Sequence, residues 1–308
     1  MNVPRHRWTK LSPPVEGVMW MGLACLCWVS NTLIIRPVIA EIAPVQLLFL
    51  RLLLSLLMML PFIARLGWGS LRIRRPGLYL LRAGLMVVSM LSWIYAVKLL
   101  PIAEAVSLAF TAPLFATMMA AFFLGEKVGI RRWSAVIIGF LGALVILRPG
   151  VDVFNANILI VLLNAATWAG AVIVIRVLTR TESPTVMVAY TFILLTPVTL
   201  VPALLDWRWP SEAAWLLIAI TSATGVLGHV AATRALSVAE TSVVTPVEYT
   251  QLPLNALAAY FLFAEVPSIY VPIGATIIVA SVLYISHREA ARARAAAKSP
   301  PLKIPPVA

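Results

Sequence analysis

Ten apolar stretches, each close to the length that crosses a bilayer, follow one another along the chain: about 15–35, 43–64, 77–97, 102–124, 133–148, 157–175, 184–205, 213–233, 241–263 and 269–286. A helix needs roughly 20 apolar residues to span the hydrocarbon. Inside lipid every backbone N–H and C=O must be paired, which leaves helices and closed barrels as the spanning forms. Barrel strands require alternation over about 10 residues, so stretches of this length are predicted to be helices. Ten crossings use most of a 308-residue chain and leave no length for a separate soluble catalytic domain. The 61% hydrophobic and 12% charged residues compare with about 45–50% and 25% in soluble domains. The chain is expected to be an all-α membrane protein. A soluble enzyme, a disordered chain, a collagen and a disulfide scaffold are excluded.

The net charge of +12 would suit a nucleic-acid partner, but its distribution gives a topological explanation. Of the 24 Lys and Arg, 18 fall in the segments on the side of the N-terminus. Only Arg36, Lys98, Arg148 and Arg208 fall on the other side, with Arg51 and Arg82 inside stretches. Cytoplasmic loops collect Lys and Arg, so both termini are expected in the cytoplasm. The first stretch follows Arg5, Arg7 and Lys10 without a small-residue cleavage site, and reads as a retained helix rather than a signal peptide. Cys25 and Cys27 lie within it and are expected to be small buried residues with no disulfide and no metal.

The two halves repeat each other. A shift of 140 brings Trp28 onto Trp168, Arg36 onto Arg176 and Pro44 onto Pro184. A shift of 136 brings Lys98 onto Arg234, Ala103 onto Ala239 and Glu104 onto Glu240, and Glu126 meets Glu265 at 139. Five crossings per copy is an odd number, so the second copy enters the membrane from the opposite side. Inverted copies of this kind underlie alternating access in many secondary transporters. The expected organisation is an N-terminal segment 1–14, a first repeat 15–148, a linker 149–156, a second repeat 157–287 and a basic, Pro-rich tail 288–308 with no folded role.

Four segments carry a resemblance to the drug/metabolite transporter superfamily of EamA type. They are CWVSNTLIIR (27–36), LLPIAEAVSLAFTAPLFATMMAAFFLGEKVGIRRW (99–133), GFLGALVILRPG (139–150) and ALSVAETSVVTPVEYTQLPLNALAAYFLFAEVP (235–267). The first copy ends its fourth stretch on Gly125-Glu126, and the second has Ala264 in place of that glycine. The resemblance implies ten transmembrane helices as two inverted five-helix EamA repeats in the inner membrane, around a central cavity. The segment 249–265 is most similar to the branch that includes uptake carriers for riboflavin and S-adenosylmethionine, and it also resembles exporters of amino-acid-derived metabolites.

Polar side chains inside hydrocarbon are costly and normally face protein or water. Glu248 stands about 10 Å deep in the ninth stretch at 1.5 Å per residue, between Pro246 and Pro253. It is the expected coupling or substrate-cation residue; the alternative is a carboxyl bonded within the bundle. His229, in the eighth stretch, is a second coupling candidate, and the two would form a proton-sensitive pair if they met. A packing role is the other reading of a lone His. Arg51 is expected to snorkel outward or pair with Glu104, and Arg82 to snorkel. Glu104, Glu126, Glu240 and Glu265 are expected to hold loops or gates. Trp28, Asn31, Tyr95, Phe110, Thr111, Asn164, Trp168, Tyr249, Gln251 and Asn255 would line a cavity with aromatic walls and a few polar contacts, or else pack between helices. Gly22, Gly139 and Gly142 would permit close helix contact.

These readings favour a secondary carrier for a small organic metabolite, with a small-molecule substrate and the lipid bilayer as partners. No nucleic-acid partner, cofactor or metal is implied. Proton coupling and a monomer or homodimer are both compatible with the sequence. No phosphate-binding Gly-x-x-x-x-Gly-Lys-Ser/Thr loop is present, so ATP is not the direct energy source. An intramembrane enzyme lacks support: Asp152 and Asp206 are the only aspartates and no Gly-x-Ser-x-Gly turn occurs. A channel or a non-transporting partner is the remaining alternative, without a charged ring or filter-like loop to support it.

Overall fold

The computed structural model describes residues 12–66, 73–125, 128–147, 157–178, 184–239 and 241–298. Among them are twelve helices and no strand: α1 (Pro13–Ile39), α2 (Pro44–Leu66), α3 (Pro76–Leu99), α4 (Ile102–Ala109), α5 (Ala112–Phe123), α6 (Ile130–Leu147), α7 (Ile158–Leu178), α8 (Pro184–Leu205), α9 (Glu212–Val238), α10 (Thr241–Glu248), α11 (Gln251–Phe263) and α12 (Tyr270–Lys298). The α4–α5 pair is one crossing and the α10–α11 pair another, so the helices make the ten crossings expected. Pro13, Pro44, Pro76 and Pro184 stand at the starts of α1, α2, α3 and α8. There a missing N–H is harmless and the fixed φ suits the first turn.

The two interrupted crossings have the same cause. A proline inside a helix clashes with the carbonyl four residues before it. For Pro113 that residue is Ala109, the last of α4; for Pro253 it is Tyr249, the first after α10. Each break is then capped in the same way. The Thr111 hydroxyl donates to the Leu108 carbonyl at 2.7 Å, and the Thr250 hydroxyl donates to the Val247 carbonyl at 2.7 Å. These positions correspond in the repeat, so both halves carry the same discontinuity near mid-membrane.

Helices of the two halves exchange partners. The first crossing of each half packs on the third of the other, α1 on α9 and α7 on α3, while α2 packs on α8 and α6 on α12. The α6–α12 seam runs antiparallel: a Cβ on Gly142 would meet Ile277, and one on Gly274 would meet Ile146. At α2–α8, Gln46 in the first turn of α2 bonds backbone groups of Arg208, just past the end of α8. Equivalent helices therefore cross the membrane in opposite senses, which is the inverted repeat. Association in lipid rests on close packing rather than on a hydrophobic drive. At α6–α12 the backbones touch, and a Cβ on Gly142 would stand 2.9 Å from the Gly274 carbonyl. Gly139 is filled by Leu114 in the same way, whereas Gly22, expected to act alike, faces open space.

The tail differs from expectation in one respect. Helix α12 does not stop at the membrane limit but continues to Lys298. The segment Glu289–Lys298 is almost entirely Ala, Arg, Glu and Lys, all strong helix formers.

Candidate functional site

The breaks place two corresponding aromatic residues in contact. Phe110 follows α4 and Tyr249 follows α10, and their ring centroids are 5.2 Å apart. Both line a cavity of about 200 Å³ with Glu248, Pro113, Ala116, Thr117, Ala120, Arg132 and, from α12, Val282, Ile285 and Ser286. The lining follows α5 from the break toward the face where α1 begins, here termed the N-terminal face. On the other side of the breaks, α4 packs directly on α11. The interrupted crossings thus meet toward the opposite face and leave space toward the N-terminal one.

Glu248 is at the head of this cavity, as the last residue of α10. Its segment docks on α1, where the Cys25 thiol donates to the Val247 carbonyl at 3.5 Å. Cys25 and Cys27 are both buried and free. His229 is elsewhere: it is exposed on α9 and its ring packs edge-on against Trp28, centroids 6.3 Å apart. No hydrogen bond or ion pair joins Glu248 and His229 among the described residues: Glu248 lines the cavity, whereas the His229 ring packs on Trp28.

A polar knot joins α1, α2 and α9. The Asn31 amide donates to the Thr224 hydroxyl at 2.8 Å and to the Thr221 carbonyl at 3.1 Å. Its carbonyl oxygen accepts from the Thr221 hydroxyl and from Arg51 Nη2. Arg51 therefore turns inward to Asn31, and neither snorkels nor pairs with Glu104. Arg82 is also corrected: it is buried and donates to the Met187 carbonyl on α8 at 2.7 Å. Its position on α3 faces α8, which leaves no outward path.

Toward the opposite face, Arg36 is the centre of a closure. It forms an ion pair with Glu265 and donates to the Val97 carbonyl at 3.0 Å and the Leu100 carbonyl at 2.5 Å. Glu265 in turn accepts from the Ile102 N–H at 2.8 Å. The guanidinium also lies over the Phe263 ring, 5.2 Å from its centroid. One side chain thus ties α1, the α3–α4 junction and the end of α11.

The remaining expected residues are dispersed. Thr111 is fully buried as the cap of the first break. Asn164 bonds Ser89 between α7 and α3, donating to its carbonyl at 2.8 Å. Asn255 is buried and donates to the Gln251 carbonyl at 2.8 Å within α11. Tyr95 and Gln251 are half-buried, and Trp168 is exposed on α7. Glu104 is half-buried in the first turn of α4. Glu126 and Glu240 lie outside the described residues. Sequence reasoning missed Arg36, Arg132, Thr221 and Thr224. The signal for Arg36 was present, since the repeat matched both Arg36 with Arg176 and Glu265 with Glu126.

The profile of the EamA-like transporter family matches residues 15–148 and again 155–287. The chain belongs to the EamA-like transporter family. Among its relatives, a riboflavin transporter of Vibrio cholerae serotype O1 is 35% identical over 292 residues, covering 91% of this chain and 96% of the relative. An S-adenosylmethionine uptake transporter of Rickettsia felis is 30% identical over 275 residues, covering 89% and 94%. A solved crystal structure of a protein superimposes with a TM-score of 0.62 at 20% identity, covering 89% of this chain and 99% of that one, which shows a likeness of fold alone. As an EamA protein the chain is a multi-pass membrane protein of a transporter family.

Proposed function

We propose that this protein is a secondary carrier that moves a small organic metabolite across the bacterial inner membrane by alternating access. The observation that carries the reading is the asymmetric closure around the breaks. Toward the opposite face, α4 on α11 and the Arg36–Glu265 network shut the path; toward the N-terminal face the cavity at Phe110, Glu248 and Tyr249 is kept. A channel would need a path through both. Because the repeats are inverted, exchanging the conformations of the two halves closes the N-terminal face and opens the other, at one fixed site. The excess of Lys and Arg supports a cytoplasmic N-terminal face and cytoplasmic termini, so the conformation described is the inward one.

The substrate class follows from the lining. The Phe110–Tyr249 pair offers aromatic faces, and Glu248 one carboxyl group, to a planar metabolite of modest size. Riboflavin and S-adenosylmethionine, the compounds named for the relatives, both carry a planar heteroaromatic ring. Glu248 is the group that takes up a proton or pairs with a substrate cation, a role that needs no cofactor and makes no covalent change. Counterflow in proteoliposomes tests the carrier reading: labelled substrate enters against unlabelled substrate and leaves chemically unchanged. A modified product would point instead to an enzyme. Glu248→Gln is expected to abolish the pH dependence of exchange; transport with its pH profile intact would remove the coupling role.

A further inference from the structure

Arg51 is a buried-helix guanidinium held at one corner only. It donates Nη2 to Asn31 Oδ1, and among the described residues no carboxylate lies within ion-pair distance of it. Asn31 is fully engaged by Thr221, Thr224 and Arg51, so it fixes the guanidinium without neutralising it. A charged side chain in the hydrocarbon region is costly unless it meets protein or water, and a counter-ion is the usual remedy. Arg51 retains partial exposure. The remaining N–H groups of Arg51 make no hydrogen bond among the described residues. The scaffold does not demand the charge, because the corresponding position in the second half is Thr191.

We propose that Arg51 binds a carboxylate of the transported metabolite, with the Asn31–Thr221–Thr224 knot as its positioning support. This rests on the carrier reading. Cys25, against which the Glu248 segment docks, and Asn31, which holds Arg51, are six residues apart on α1, or about 9 Å along its axis. A carboxylate on Arg51 therefore leaves the rest of the molecule directed along α1 toward Glu248 and the aromatic pair. The ligand class is a metabolite with a carboxylate at one end and a planar or cationic group at the other.

The test uses the purified full chain in nanodiscs, with S-adenosylmethionine, its decarboxylated counterpart and riboflavin as probes of thermal unfolding. The wild type is expected to bind the carboxylate-bearing probe about 10-fold more tightly than the decarboxylated one, as a charge-assisted bidentate contact would give. Arg51→Gln is expected to bring the ratio within about 2-fold. Asn31→Asp keeps Arg51 but supplies a competing carboxylate, and is expected to do the same should Arg51→Gln fail to fold. Equal binding of the two by the wild type, or a ratio that survives in the variants, overturns the proposal. Binding of riboflavin alone also overturns it, while the carrier reading stands. Failure of every probe to bind or to exchange in proteoliposomes removes both.

Discussion

Ala264 is the one non-glycine residue with positive φ among those described, at +54°, and Gly125 occupies the corresponding place at +65°. A side chain in the left-handed region costs about 1–2 kcal/mol. Ala264→Gly is therefore expected to raise stability by about 1 kcal/mol, somewhat reduced by the added freedom of the unfolded chain, and Gly125→Ala to lower it by a similar amount. Thermal unfolding of the purified protein reads both. Glu248, Phe110 and Tyr249 were legible in the sequence as candidates because an acid flanked by prolines, and aromatics within apolar stretches, are visible along the chain, but the contact between the two rings was not. The inward turn of Arg51 was not, because it depends on Asn31 and Thr221, which are 20 and 170 residues away in sequence. Nor was the separation of His229 from Glu248, since both lie on crossings predicted to face the interior and only the packing of α9 on α1 decides the direction.

Most element starts were read closely from hydropathy, because membrane helices begin where the apolar composition does, whereas α9 and α12 run on past the apolar stretch. The breaks within 102–123 and 241–263 were not, although Pro113 and Pro253 cause them; a proline in a membrane helix can kink it without stopping it. At this scale Arg36 is the element to test. With Cys25→Ser and Cys27→Ser in the background, a cysteine at buried Leu100 reports on the closed face. Arg36→Ala is expected to increase its labelling by an impermeant maleimide about 10-fold, for a shift of about 1.4 kcal/mol between the two orientations. Unchanged labelling would mean that α4 on α11 holds the face without the ion pair. The α6–α12 seam gives a complementary prediction. Gly142→Ala places a methyl against the Gly274 carbonyl and is expected to cost about 1–3 kcal/mol, seen as a lower melting temperature.

For the whole molecule, the inverted repeat was legible from matched Trp, Arg, Pro and Glu residues and from the sidedness of Lys and Arg. Even crossing number and charge together predict that a fluorescent reporter fused at either end lights up, while periplasmic alkaline phosphatase fused there stays inactive. Activity of the phosphatase at one end would break the topology. Which helices exchange partners was not legible, because apolar faces differ little in composition and only shape selects the pairing.

A scaffold whose halves were identical would have no reason to prefer one side of the membrane, since its two orientations would be related by a two-fold rotation and equal in energy. Whatever resting preference the protein has must come from places where the copies disagree. Glu248 stands opposite Ala109, and Arg51 opposite Thr191. The same few mismatches proposed to hold the cargo are therefore also the ones able to give the machine a direction.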